Sequence, residues 1–163
     1  MLQDISFDEV DAVKNLFVVY RIRGEDLIPL QVTSELQIHP TTAFQKGEKY
    51  IGQKYDPISK SVLKETRERP LSVWDIDTHS LVHLKRVEDH IEYLLKILEP
   101  HSEQILHYLN QSEKYLISFY IRWESMAEHG SYVLSSDFIK RMGGLCHFVE
   151  FSFIANFEQD GQG

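Results

Sequence analysis

The chain has one cysteine in 163 residues, Cys146, so no intrachain disulfide can form and a reducing compartment suits it. It also has no apolar run near the roughly 20 residues that span a bilayer. The N-terminus, MLQDISFDEVDAV, shows no basic region followed by an apolar stretch. The expectation is therefore a cytoplasmic protein with no signal peptide and no membrane partner. Basic residues are the scarcer charge, 17 Lys and Arg against 25 Asp and Glu, for a net charge of −8. Phosphate binding needs a basic footprint, so direct binding of nucleic acid is not expected. Catalytic frames are missing as well. The sequence has no CxxC, no GxSxG, no HExxH and no dinucleotide fingerprint. Gly143-Gly144 lacks the GxxxxGK[ST] frame and follows a helical segment instead of preceding one.

What is present reads as one domain with its own core. Leu16, Val18, Tyr20 and Ile22 alternate with Phe17, Val19, Arg21 and Arg23, the period of a strand that ends at Gly24. Pro29 suits the first turn of a short helix in which Val32 and Leu36 face the core. The helix ends in Leu36-Gln37-Ile38, and the turn His39-Pro40-Thr41-Thr42 leads to Gly47. Residues 45–70 are polar and punctuated by Gly47, Gly52, Pro57 and Pro70. They read as a long surface loop with a short helix over KSVLKETRER. A strand over Ser72–Thr78 places Trp74 and Ile76 on one side, Asp75 and Asp77 on the other.

A long helix is predicted from near Ser80, with Leu84, Val87, Ile91, Leu94, Leu95 and Leu98 as its apolar stripe. Pro100 separates it from a second helix with the stripe Ile105, Leu106 and Leu109. Leu116–Trp123 alternates as a strand. Ser135-Ser136-Asp137 caps a brief helix over Phe138–Met142, closed by Gly143-Gly144, and Cys146–Ala155 is the last strand. The prediction is a single α+β domain over 15–155, a mostly antiparallel sheet backed by helices in a two-layer sandwich. Residues 1–14 read as an acidic N-terminal extension and 156–163 as a flexible tail.

One set of residues resembles a known family. It runs Gly24, Asp26, Leu27, Pro29, Thr33, Leu36, Ile38, Pro40, Thr41 and Gly47, then Trp74 and Leu98-Glu99-Pro100. Leu134-Ser135, Phe138 and Gly143-Gly144-Leu145 complete it. In order and spacing these residues resemble the bacterial family known as domain of unknown function 4279, over roughly 15–155. The resemblance implies a fold and no catalytic residue, because the matching positions serve turns and packing. It also implies a likeness to the immunity proteins encoded beside bacterial competition toxins.

Four groups of side chains are candidates for chemistry. His79 and His83 share a face if they lie on a helix, as zinc ligands can, but no glutamate follows as in HExxH. Asp75 and Asp77 share a strand face and could hold magnesium or act as an acid–base pair. Cys146 and His147 are adjacent on a strand, so they point apart and make no nucleophile dyad. Trp123, Met126 and Tyr132 stand among the acids Glu124 and Glu128, a mixture suited to interface anchors.

The expectation from these features is a non-catalytic immunity protein that needs no metal or cofactor. Its cognate partner would be a basic toxin domain, nuclease in class, blocked by a monomer or weak dimer. The expected contacts are Asp75, Asp77, Glu124 and Glu128, with Tyr132 as an aromatic anchor. Two other readings stay open: an enzyme or sensor using a pocket between sheet and helices with His79, His83 and Asp77, and a structural subunit that dimerises through a sheet edge or the Trp123 loop.

Overall fold

The computed structural model describes residues 13–126 and 132–155. The predicted extension (through residue 12) and tail lie outside them, as does Glu128. The alternating segments pair into one five-stranded sheet. Its strands are β1 (Val13–Gly24), β2 (Thr42–Phe44), β5 (Ser72–Asp77), β6 (Leu116–Ser125) and β7 (Phe148–Ala155), in the order β2-β5-β1-β6-β7. All neighbours are antiparallel except β6 and β7, which run parallel because helix α4 (Ser136–Gly143) carries the chain back between them.

Register decides which side chains enter the core. Tyr20 stands between Ile76 and Phe119, and Ile22 between Trp74 and Ile117. All six are buried and face the helices. Helices α1 (Pro29–Leu36), α2 (Val87–Leu98) and α3 (Ser102–Leu109) pack on that face, and a 3-10 turn over Glu99–His101 joins the last two. Two polar groups are taken into this core with partners. The Trp74 indole N–H donates to Thr33 Oγ1 on α1 at 3.0 Å, and the Tyr20 hydroxyl donates to the Leu145 carbonyl at 2.9 Å.

The long helix begins at Val87, not near Ser80. The chain after β5 makes a turn in which Leu81 and Val82 N–H donate to the Thr78 carbonyl, and the Leu84 carbonyl accepts from the His90 ring. Leu84 is consequently 60% exposed, whereas Ile91, Leu94, Leu95 and Leu98 are buried. On α3 the buried pair is Ile105 and Tyr108, and Leu106 faces solvent. The capping cluster acts as the sequence indicates: Ser135 Oγ accepts from Phe138 N at 3.3 Å at the start of α4.

Residues 45–70 are not a loop with a short helix. They form a hairpin of β3 (Lys49–Asp56) and β4 (Ser61–Glu68), a separate two-stranded sheet. Asp56 accepts from Ile58 N and Ser59 N and so closes the turn at Pro57–Lys60. The root is held by Arg69, whose N–H donates to the Glu48 carbonyl and whose guanidinium lies about 4 Å from the ring centres of Phe44 and Tyr50.

Candidate functional site

Two surfaces compete for function, one on each face of the sheet. The face away from the helices carries Phe17, Val19, Arg21 and Arg23 of β1 beside Asp75 and Asp77 of β5, with Tyr120, Arg122 and Glu124 of β6 on the other side. It is a field of internally matched charges. Arg21 holds Asp75 through two nitrogens, Nε at 2.9 Å and Nη2 at 2.7 Å, and Asp75 is buried. Burial pushes the Asp75 carboxyl up, with the Arg21 guanidinium pulling against it. Arg122 Nε donates to Glu124 at 2.7 Å, and only 14% of the Glu124 side chain is exposed. Asp77 is half-buried and accepts from His79 N at 2.7 Å.

Asp75, Asp77 and Glu124 therefore share this face, but two of the three carboxylates already have a cation. Tyr132 does not join them. It lies on the helix side, against Trp123 at 5.4 Å and Phe151 at 5.8 Å between ring centres. The histidine pair also separates: His79 sits in the turn after β5 with its ring stacked on Phe17 at 5.4 Å, and His83 is exposed in the loop before α2. Helical spacing does not apply to either of them. Among the described residues, no group of three or more His, Cys, Asp and Glu side chains could hold a metal ion.

The second surface is a groove on the helix side, at the β7 edge. It has a volume of about 740 Å³ and is lined by Tyr132, Leu134, Ile139, Met142, Phe148 and Phe151, among others. Its geometry follows from two local causes. Parallel pairing puts Val149, Phe151 and Phe153 on the helix side, but β7 is the edge strand, and Phe151 and Phe153 remain 55% and 45% exposed. Helix α4 packs on α2 instead of on the sheet. It is held there by Arg141, which donates to Glu99 at 2.6 Å and 2.9 Å and to Glu92 at 2.9 Å. The open slot between α4 and β7 is the groove.

The polar groups at the groove are poor catalysts. Burial pushes the Cys146 thiol up to about 11, so it is not a thiolate at neutral pH. His147 uses both ring nitrogens in the frame: Nδ1 accepts from Ile117 N at 3.0 Å, and Nε2 donates to the Leu109 carbonyl at 3.0 Å. Burial raises the Tyr132 hydroxyl to about 12, so it enters any contact uncharged. The Trp123 indole N–H beneath Tyr132 is buried and finds no hydrogen-bond partner among the described residues. Ile139, Phe148, Phe151 and Phe153 are not among the site candidates the sequence offers, although Phe151 and Phe153 fall on one side of the last strand. The alternation of the last strand was visible, but it reads equally well as a buried face.

No helix among the described residues is long and apolar enough to cross a membrane. No curated protein and no solved structure matches the chain. A family model described as Domain of unknown function (DUF4279) matches residues 14–155, nearly the whole chain, and the chain belongs to that family.

Proposed function

We propose that this chain is a non-catalytic binding protein, an immunity protein of a bacterial competition system that seats a basic toxin domain, nuclease in class, and occludes its active site. The observation that carries the reading is the open apolar groove along the edge strand of a protein with a net charge of −8. Aromatic side chains around a pocket, with charge outside it, are the arrangement of interface anchors. Tyr132, Phe148 and Phe151 supply the anchors, while Glu150, beside Tyr120 on the opposite face of the sheet, is exposed and adds to the acidic surface outside the groove. The carboxylates of Asp75 and Glu124 are already matched by Arg21 and Arg122, so the attraction for a basic partner comes from the chain's unpaired acids and its net charge. The net negative charge steers a basic partner and speeds encounter, and the groove sets how long the complex lasts.

A second reading has its own support. The groove volume lies within the range of small-ligand pockets, about 300–1,000 Å³, and the lining is apolar. In that case the protein holds an apolar small molecule without chemistry, since neither Cys146 nor His147 is set up to react. A thermal-shift screen of apolar ligands separates the two: stabilisation by a ligand that competes with no protein partner favours the pocket.

The immunity reading is tested by calorimetric titration against the basic domain of the toxin encoded beside this gene, at low and at high salt. One-to-one binding that weakens as salt rises supports it. Absence of binding to that domain removes it.

A further inference from the structure

The β3–β4 hairpin is the most exposed apolar feature outside the groove. Ile51, Tyr55, Val62 and Leu63 are exposed along it, and Ile58 at its tip is 93% exposed. Register puts Ile51, Tyr55 and Val62 on one face with Lys49 and Lys64. Lys54, Lys60 and Lys64 surround the tip and are all exposed. Asp56, the one acid near the tip, is occupied in closing the turn. Residues 49–68 carry five basic and three acidic side chains, in a chain that carries 17 and 25. The hairpin is thus a positive arm on a negative protein, and among the described residues neither of its strands packs extensively on any other element.

We propose that this arm is a peripheral membrane anchor, whose tip enters the headgroup layer of an anionic bilayer. The chemistry selects this partner over others. A nucleic acid would use the lysines and leave Ile58, Val62 and Tyr55 in water. A lipid interface takes both kinds of side chain, the apolar ones toward the acyl boundary and the lysines at the phosphates.

The overall negative charge does not forbid the approach. Eight-residue strands carry the tip roughly 26 Å from the root, and fields are screened over about 8 Å at physiological ionic strength. The tip therefore meets the bilayer several screening lengths from most of the acidic surface. The lack of a spanning helix among the described residues does not bear on this, because a hairpin that dips into one leaflet needs none.

The test is co-sedimentation of the full chain with vesicles, of phosphatidylcholine alone and of phosphatidylcholine mixed in equal parts with phosphatidylglycerol. The mixed vesicles should carry down the protein and the neutral ones should not. Reversing Lys54, Lys60 and Lys64 to Glu should lower partitioning to the mixed vesicles about a hundredfold or more, each lysine being worth a factor of about five. Ile58→Asp should lower it about tenfold or more with the anionic preference intact. All four positions are exposed, so the circular dichroism spectra should match that of the parent chain. Failure to bind mixed vesicles, or equal binding to both kinds, overturns the proposal. So does self-association in sedimentation velocity that Ile58→Asp abolishes while vesicle binding persists, which would assign the arm to a second copy. The titration against the toxin domain is read separately and does not depend on this outcome.

Discussion

Thr78 Oγ1 lies 2.6 Å from His90 Nδ1, and between them they tie the end of β5 to the start of α2. The direction of each bond is set by its ends. Val18 N–H donates to Thr78 Oγ1 at 2.9 Å, and His90 Nε2 donates to the Leu84 carbonyl at 2.8 Å, which can only accept. In the neutral ring that burial favours, the proton sits on Nε2 and Nδ1 accepts from the Thr78 hydroxyl. Protonating Nδ1 would reverse that bond and leave the Thr78 hydroxyl proton without this acceptor inside the core.

Acid should therefore loosen this junction. Burial holds the His90 pKa below its ordinary value, against the opposing pull of the Leu84 carbonyl and the charges of Asp89 and Asp77. A histidine with a depressed folded-state pKa binds fewer protons when folded. Its contribution is complete above the unfolded value near 6.5 and is lost as pH falls through the folded value. Urea unfolding at pH 7.5 and 5.5 should show a drop in stability for the parent chain that is smaller in His90→Asn. Equal drops would mean that His90 does not titrate as placed.

The start of α2 can be checked by two leucines. Leu94 is fully buried and Leu84 is mostly exposed. Leu94→Ala should cost about 2–5 kcal/mol. Leu84→Ala should change stability by about 0.5 kcal/mol or less, as for a surface site. Similar losses at both would restore Leu84 to the buried stripe.

Gly24 is required by space. A Cβ there would lie 2.4 Å from the Lys114 carbonyl oxygen and 2.9 Å from the Tyr115 ring. The carbonyl belongs to the backbone leading into β6, so the clash is relieved only by moving that segment. Gly24→Ala should destabilise by about 1–3 kcal/mol. Gly143→Ala, with open space around its Cβ, should be tolerated. A thermal melt of each variant decides it.

Legibility in the sequence followed how each segment is buried. Leu94 and its neighbours were readable because one face of α2 is wholly buried and the other is wet. Trp74 and Asp75 were correctly assigned to opposite faces, but Asp75 is not solvated. The adjacent β1 strand supplies Arg21 to cover it, a pairing no local pattern contains. The β3–β4 hairpin was hidden because both of its faces meet water, so Ile51 and Tyr55 alternate with nothing that marks an inside. The groove was hidden for a related reason. Phe151 and Phe153 have the spacing of core residues, and only the edge position of β7, set by strand order, leaves them open.

The central claim is that the groove between α4 and β7 is where a protein partner is held, and Phe151→Asp tests it most directly. The side chain is already about half exposed, so the melting temperature should stay within a few degrees of the parent. If the proposed toxin partner is seated there, its dissociation constant should rise about thirtyfold or more, as for an interface anchor. An unchanged dissociation constant in a folded Phe151→Asp variant would contradict the account.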